Sequence, residues 1–166
     1  MTPHDGCVCG IDIGKRGHAA CLLDRQGAVL AEMRFTNDAP GFAALHARLE
    51  KHCPEGGVLV GMEATGHYWY ALHDQIGRWN YPRIVLNPLQ SAQQAKSAIR
   101  KHKSDARDAW HIACLIQSGQ GKSAVIPGEL AMTCRHLARL CYALGRQQAR
   151  IKQLIGAKRE CVWPEV

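Results

Sequence analysis

The order of short apolar runs along the first half of the chain constrains its fold most strongly. Five such runs are predicted as strands: residues 7–13, 18–23, 28–36, 58–62 and 83–86. The first three follow one another through tight turns, which is typical of an antiparallel meander. Two helices are predicted between the later strands, over 40–52 and 68–79, with Asn37 or Asp38 capping the first. The order β-β-β-α-β-α-β predicts an α/β fold with a mixed five-stranded sheet and flanking helices.

The second half of the chain is predicted to be helical. One helix or a broken one is expected over 88–100, and another over 104–118, which Ser104 caps. From Pro127 to about Val162 the apolar residues follow heptads, which favours a coiled coil. One core position of these heptads holds Leu130, Leu137, Leu144 and Ile151, and the other holds Thr133, Leu140, Gln147, Leu154 and Cys161. We therefore predict a globular domain over 1–122 and a dimerisation helix over 127–166.

Composition favours a soluble protein with a polyanionic partner. The chain has 166 residues, of which 21 are Lys or Arg and 14 are Asp or Glu, so its net charge is +7. That charge favours nucleic acid first and an anionic membrane surface second. No run approaches the 18 apolar residues of a membrane span, and the first ten residues do not resemble a signal peptide. We expect a cytoplasmic protein.

The eight cysteines fit that compartment. No C-x-x-C spacing occurs, and most of the cysteines lie inside apolar runs. We predict reduced thiols that pack as small hydrophobic side chains. Cys7, Cys9 and His18 could hold a metal only if the strands brought all three together, which their spacing does not favour.

Asp12 and Glu63 are the first two candidate site residues. Asp12 interrupts an apolar strand between Ile11 and Ile13, and Glu63 follows the apolar strand 58–62. A buried carboxylate without a partner costs several kcal/mol, so a cation, an ion pair or a position at the strand end has to compensate. The carboxyl ends of strands are where α/β sheets form their sites. Solvated carboxylates at strand ends remain the alternative.

Asp105 and Asp108 are the other two candidates. Residues three apart share one face of a helix, and two neighbouring carboxylates repel unless a cation lies between them. Both also suit the first turn of a helix, through capping and the helix dipole, so a structural role is the alternative.

Together the four carboxylates could converge at one edge of the sheet. Such all-oxygen sets suit Mg²⁺ or Mn²⁺, and paired divalent ions roughly 3.5–4 Å apart drive in-line attack on phosphodiesters. Basic residues that could contact a nucleic-acid backbone are Lys15, Lys96, Arg100, Lys101, Lys103, Arg107, Arg139, Arg146 and Arg150. A solvated basic helix face is the alternative for these.

Four motifs in this order resemble a known family. They are Gly10-Ile11-Asp12-Ile13-Gly14-Lys15, Met62-Glu63-Ala64-Thr65-Gly66-His67-Tyr68, Asn87-Pro88, and Lys103-Ser104-Asp105-Ala106-Arg107-Asp108-Ala109. Over about residues 7–160 the chain resembles the DEDD transposases of bacterial insertion sequences, in the insertion-sequence one-ten family.

The resemblance implies a RuvC-like domain of the ribonuclease H fold, followed by a coiled coil. It implies that Asp12, Glu63, Asp105 and Asp108 bind Mg²⁺ (or Mn²⁺) as the catalytic tetrad. It also implies DNA partners, namely element ends and target, together with a structured guide RNA. The heptad pattern of the last helix separately predicts assembly as a homodimer or larger homo-oligomer. Members of the family carry a second domain with a nucleophilic serine, to which no serine here can be assigned. We therefore expect metal and nucleic-acid binding, with little or no complete recombination.

Two other classes of protein stay open on the sequence alone. Residues 10–15, followed by a hairpin and the Asp24-x-x-Gly27 turn, also resemble the first phosphate loop of actin-like and sugar-kinase ATPases. Those proteins need two such domains to enclose ATP, and Lys15 stands where they carry Thr or Ser. A non-catalytic module that binds DNA or RNA through its basic helix is the third possibility.

Overall fold

The computed structural model describes residues 6–54, 57–64, 66–87, 104–121, 123, 124, 126 and 128–163. The strands are β1 Cys7–Ile13, β2 Gly17–Leu23, β3 Val29–Thr36, β4 Val58–Glu63 and β5 Arg83–Leu86. The helices are α1 Ala39–His52, α2 Trp69–Arg78, α3 Asp105–Gln117 and α4 Glu129–Val162. The chain divides into two compact units, Met1–Ala124 and Val125–Val166. The predicted helix over 88–100 lies outside the described residues.

The strands form one mixed sheet in the order β3-β2-β1-β4-β5. β1, β2 and β3 pair antiparallel as the predicted meander, whereas β4 pairs parallel with β1 and with β5. The parallel pairs follow from the connections, because α1 and α2 return the chain to the starting edge before the next strand begins. β1 is therefore the central strand and has neighbours of both directions.

Local signals explain where two of the helices begin. Asp38 caps α1 by accepting a hydrogen bond from the Gly41 N–H at 2.9 Å, and Pro40 occupies the first turn. Ser104 caps α3 by accepting from the Arg107 N–H at 3.4 Å. Both caps agree with the prediction from the sequence. They satisfy backbone donors that have no partner within the first turn of a helix.

The core has two layers, one on each face of the sheet. On one face Cys9, Ile11 and Ile13 of β1 belong to the cluster that also contains the apolar residues of α1 and α2. On the other face Val8 of β1 packs in a second cluster with Ala109, Ile112, Ala113 and Ile116 of α3. The alternation of β1 side chains between the two faces produces this division. The sheet is thus covered by α1 and α2 on one side and by α3 on the other.

His18 is buried inside this domain, with only 3% of its surface exposed. Its Nδ1 accepts a hydrogen bond from the Gly14 N–H at 3.3 Å, and its ring contacts Phe35 and Phe42. Burial lowers the pKa of His18, because the charged imidazolium is poorly solvated there. The hydrogen bond closes the turn that directly follows β1.

We expect His18 to make the domain sensitive to acid. Below pH 6.5 the unfolded chain protonates this imidazole while the folded protein resists, so the free energy of unfolding falls as the pH falls. Above that pH the contribution is fully present. Chemical denaturation of wild type and His18→Phe at pH 7.5 and 5.5 checks this, with the other histidines common to both proteins. The stability of wild type is expected to drop more, and parallel pH profiles would contradict the assignment.

The cysteines divide between the two units. All eight are free thiols, and Cys9, Cys21 and Cys53 are buried, as predicted for thiols that pack as hydrophobic side chains. Burial raises the pKa of Cys21 to about 11 and that of Cys53 to about 12, so both thiols stay protonated and unreactive. Cys134, Cys141 and Cys161 are instead exposed on α4.

α4 is one continuous helix of 34 residues, about 51 Å long at 1.5 Å per residue. Its apolar heptad residues are exposed, including Leu137, Leu144, Ile151 and Leu154. This 34-residue helix confirms the predicted long C-terminal helix, and the coiled coil remains a prediction because it requires a second chain.

The described part of the chain contains no helix with the length and hydrophobicity that a membrane span requires.

Candidate active site

Asp12 and Glu63 lie at the carboxyl ends of neighbouring parallel strands. In the register of β1 with β4, Gly10 is opposite Gly61 and Ile11 is opposite Met62. The next step of that register brings Asp12 opposite Glu63. Neighbouring strands are about 4.8 Å apart, so the two backbones hold these carboxylates side by side.

Both carboxylates lie on the face of the sheet that α3 covers. Asp12 pairs with Ala19 of β2, and Glu63 pairs with Leu86 of β5. Ala19 and Leu86 belong to the core layer beneath α3. Because residues opposite each other on neighbouring strands point to the same side, Asp12 and Glu63 share this side.

Gly10 brings α3 into direct contact with β1. A Cβ on Gly10 would lie 2.3 Å from the Ala109 carbonyl oxygen and 2.3 Å from the Ala113 nitrogen, both in the backbone of α3. Only glycine permits this approach. The contact places the first turn of α3, which contains Asp105 and Asp108, beside the end of β1.

We expect Gly10→Ala to destabilise the domain by about 1–3 kcal/mol or more, because backbone atoms of α3 have to move away from the new methyl group. Urea unfolding measures the loss. Gly57→Ala is the matched control, since a Cβ at Gly57 has nothing within 4 Å, and it should change stability by no more than about 0.5 kcal/mol. Equal stability of Gly10→Ala and wild type would contradict the close packing of α3 on β1.

Asp105 forms an ion pair across this face. The Arg34 Nη2 lies 3.2 Å from the Asp105 Oδ2, and both side chains are largely exposed. Arg34 is opposite Ala19, which is opposite Asp12, so Arg34 belongs to the same row of the sheet. The full row consists of Arg34, Ala19, Asp12, Glu63 and Leu86. Asp108 is half-buried one helix turn beyond Asp105.

Arg34 is the residue of this face that sequence reasoning missed. The register of β2 with β3 shifts between Leu22 and Leu23. Without that irregularity Ala19 would be opposite Met33, and Arg34 would lie on the other face, because a one-residue slip inverts every side chain of a strand. A basic residue two positions before the end of β3 was the signal available in the sequence.

The four carboxylates fit a divalent cation in their chemistry. All of them offer oxygen ligands, which Mg²⁺ and Mn²⁺ prefer. Among the residues that the structure describes, however, no three histidine, cysteine or acidic side chains lie close enough together to hold a metal ion. Cys7, Cys9 and His18, all within that part of the chain, likewise form no such group. The backbones therefore bring the carboxylates to one face, and side chains have to rearrange before they can surround an ion.

The predicted basic residues fall into three groups. Lys15 is exposed in the turn after β1, and Arg107 is exposed in the first turn of α3. Arg139, Arg146 and Arg150 are exposed on α4, where spacings of seven and four residues put them on one stripe. Lys96, Arg100, Lys101 and Lys103 lie outside the described residues.

The sheet is mixed and five-stranded with helices on both faces, and it carries Asp12 and Glu63 at the ends of the neighbouring parallel strands β1 and β4. A family model described as Transposase, that of the DEDD transposases of IS110, matches residues 9–158. The chain therefore belongs to the IS110 family of DEDD transposases. The predicted family is confirmed, and so are the predicted mixed five-stranded sheet with flanking helices and the long C-terminal helix.

The relatives that this chain matches are longer than the chain itself. A mini-circle putative transposase for IS117 of Streptomyces coelicolor is 29% identical over 136 residues, which cover 79% of this chain and 32% of the relative. The pilin gene-inverting protein of Moraxella lacunata is 31% identical over 105 residues, covering 63% of this chain and 32% of the relative. The chain thus spans about a third of the length of these relatives.

Solved structures similar to this chain include a RuvC protein and a viral resolvase. Thermus thermophilus RuvC is 16% identical, with a TM-score of 0.49 over 71% of this chain and 99% of that one. The fowlpox virus resolvase, solved with Holliday-junction DNA, is 15% identical, with a TM-score of 0.47 over 69% of this chain and 98% of that one.

Proposed function

We propose that this chain is the metal-binding catalytic domain of a DNA transposase and recombinase. In this proposal Asp12, Glu63, Asp105 and Asp108 bind Mg²⁺ or Mn²⁺ and act on DNA phosphodiester bonds during transposition. The observation that carries it is the row at the carboxyl ends of β1 and β4, with the first turn of α3 held over the same face through Gly10. Family membership gives the reaction class.

The two pairs of carboxylates would have different roles in holding the ions. Asp12 and Glu63 project from the paired strands β1 and β4 and would fix the position of the site. Asp105 and Asp108 project from the first turn of α3 and would supply the remaining ligands from the helix that covers this face of the sheet. The bound ions would supply activation of the attacking oxygen and stabilisation of the leaving one.

DNA is the proposed substrate, with element ends and target as its two forms, and a structured guide RNA is the proposed second partner. The names of the relatives describe a transposase and a protein that inverts a gene, and both activities rearrange DNA. The exposed Lys15 and Arg107 lie in segments adjacent to the carboxylates, where phosphates would approach.

A reconstitution assay tests this function. Matched guide RNA, donor DNA and target DNA are supplied to the chain with Mg²⁺, and binding and joining are measured separately. We expect this chain to bind branched DNA or structured RNA and to give little or no joined product. Joined product would show that the four carboxylates suffice alone. Absence of binding at low salt would contradict the function, and ATP-dependent thermal stabilisation would then favour the kinase-like alternative.

We further propose that two copies of the chain associate through α4. Leu130, Leu137, Leu144 and Ile151 repeat every seven residues along one uninterrupted helix, and all four are exposed in the single chain. A second α4 would bury this seam, and such burial is the usual source of stability for long helices of this pattern.

We expect Leu144→Glu to weaken that association by an order of magnitude or more, because the new carboxylate has to be desolvated inside the seam. Light scattering at high micromolar concentration should give twice the monomer mass for wild type and a lower mass for the variant. Ala149→Glu adds the same charge at the heptad position farthest from the seam and should leave the mass unchanged. A monomeric wild type would refute the proposed dimer.

A further inference from the structure

We propose that Arg34 is the internal counter-ion of Asp105, which a divalent cation has to displace when it binds the candidate site. The inference rests on the proposed function and assigns to Arg34 a positioning role within it. Arg34 contributes through its effect on Asp105 rather than by holding the metal itself.

The first observation is the placement of the pair. Arg34 and Asp105 approach to 3.2 Å, and Arg34 lies in the same row of the sheet as Asp12, two strands away. Two strand spacings amount to about 9.6 Å, so the backbone of Arg34 lies beside the site rather than within it. Asp105 is thus held towards β3, at the side of the row away from Glu63.

The second observation is that α3 is tied to the β2–β3 hairpin at both ends. Near its first turn the tie is the Arg34–Asp105 pair, and at its last turn the Gln117 Nε2 donates to the Asp24 carbonyl oxygen at 2.6 Å. In the middle, the helix backbone is fixed against Gly10. The hairpin therefore orients the helix that supplies half of the candidate ligands.

The chemistry of the pair explains why it would exchange readily. A guanidinium takes up carboxylate lone pairs that a metal would otherwise use, and its charge repels a second cation nearby. In the metal-free protein it also relieves the repulsion between Asp105 and Asp108. Because the two side chains are 69% and 62% exposed, the pair is weak, and its loss should change metal affinity by only about two- to fivefold.

A double-mutant cycle on the full chain tests the inference. Mn²⁺ affinity is measured from the loss of the free-ion electron paramagnetic resonance signal in wild type, Arg34→Gln, Asp105→Asn and the double variant. We expect Arg34→Gln to bind Mn²⁺ about two- to fivefold more tightly than wild type. In the Asp105→Asn background the same change should have no effect, because the carboxylate through which Arg34 acts is gone. Arg34→Lys, which keeps the charge, should return the affinity towards that of wild type.

The cycle distinguishes an effect of the Arg34–Asp105 pair on Mn²⁺ affinity from the long-range effect of positive charge. If Arg34→Gln tightens binding equally in both backgrounds, the effect is long-range charge and the inference is overturned. Arg16→Gln removes a positive charge from the turn after β1, and its Mn²⁺ affinity measures this long-range charge effect. Unchanged or weaker Mn²⁺ binding by Arg34→Gln also overturns it. If Asp12→Asn leaves Mn²⁺ binding unchanged, the proposed function and this inference are both wrong. If Asp12→Asn loses Mn²⁺ binding but Arg34 and Asp105 show no coupling in the cycle, only the inference is wrong.

Discussion

Asp12→Asn and Asp108→Asn are each expected to remove most of the thermal stabilisation that Mg²⁺ or Mn²⁺ gives to the wild-type chain. A ligand at about ten times its dissociation constant stabilises the folded state by about 1.4 kcal/mol, which corresponds to a rise of roughly 3–6 °C in the unfolding temperature. The physical source is relief of the repulsion among carboxylates that share one face. Each amide variant would take away one of the proposed charged ligands and so weaken metal binding.

The control for this measurement is Asp74→Asn on α2. Asp74 is an exposed carboxylate that pairs with Arg78 on the same helix, at the opposite face of the sheet from α3. Its removal changes the net charge by the same amount and should leave the metal response intact. Equal stabilisation of wild type, Asp12→Asn and Asp108→Asn by millimolar metal would contradict the assignment of the site.

The second large effect is expected in the salt dependence of nucleic-acid binding. If the chain neutralises about six phosphates, its affinity for branched DNA or structured RNA should fall roughly a thousandfold between about 50 and 200 mM salt. Arg139, Arg146 and Arg150 form one exposed stripe on α4, about 17 Å long, and are expected to bind three of these phosphates. Replacing all three with Gln should flatten the salt slope by about one unit for each phosphate that is no longer neutralised.

A second triple variant, Arg25→Gln, Arg48→Gln and Arg78→Gln, provides the matched control. It removes the same charge from exposed positions in the other unit. Fluorescence anisotropy at several salt concentrations gives both slopes. If the control flattens the slope as much as the α4 variant does, the binding responds to net charge rather than to a defined stripe. The proposed phosphate contacts of α4 would then be wrong.

Most of the fold could be predicted from the sequence because its signals are local. Strand β5 has its predicted bounds, and β2 and α1 each begin one residue before the predicted start. Apolar runs, glycine turns and a capping Asp38 are properties of a few neighbouring residues. The carboxylates Asp12 and Glu63 could also be selected as candidates from the sequence, since each follows or interrupts a buried strand.

The remainder depends on long-range geometry that no local pattern encodes. The irregularity between Leu22 and Leu23 decides which face Arg34 occupies, and the composition of the hairpin does not predict it. The need for glycine at position 10 comes from Ala109 and Ala113 of α3, which are far away in the sequence. The proposed dimeric coiled coil depends on contacts with a second molecule, which no pattern within one chain contains.

The ends of β1 and β4, together with the first turn of α3, are proposed to form a divalent-cation site, and every catalytic role assigned to this domain depends on it. The most direct measurement is a crystal structure with Mn²⁺, in which anomalous scattering locates the ions independently of any assumed ligand. We predict an anomalous peak between Asp12 and Glu63, with Asp105 and Asp108 completing the ligand set and Asp105 released from Arg34. Peaks only elsewhere on the molecule, or an Asp105 still paired with Arg34 beside a fully bound ion, would contradict it.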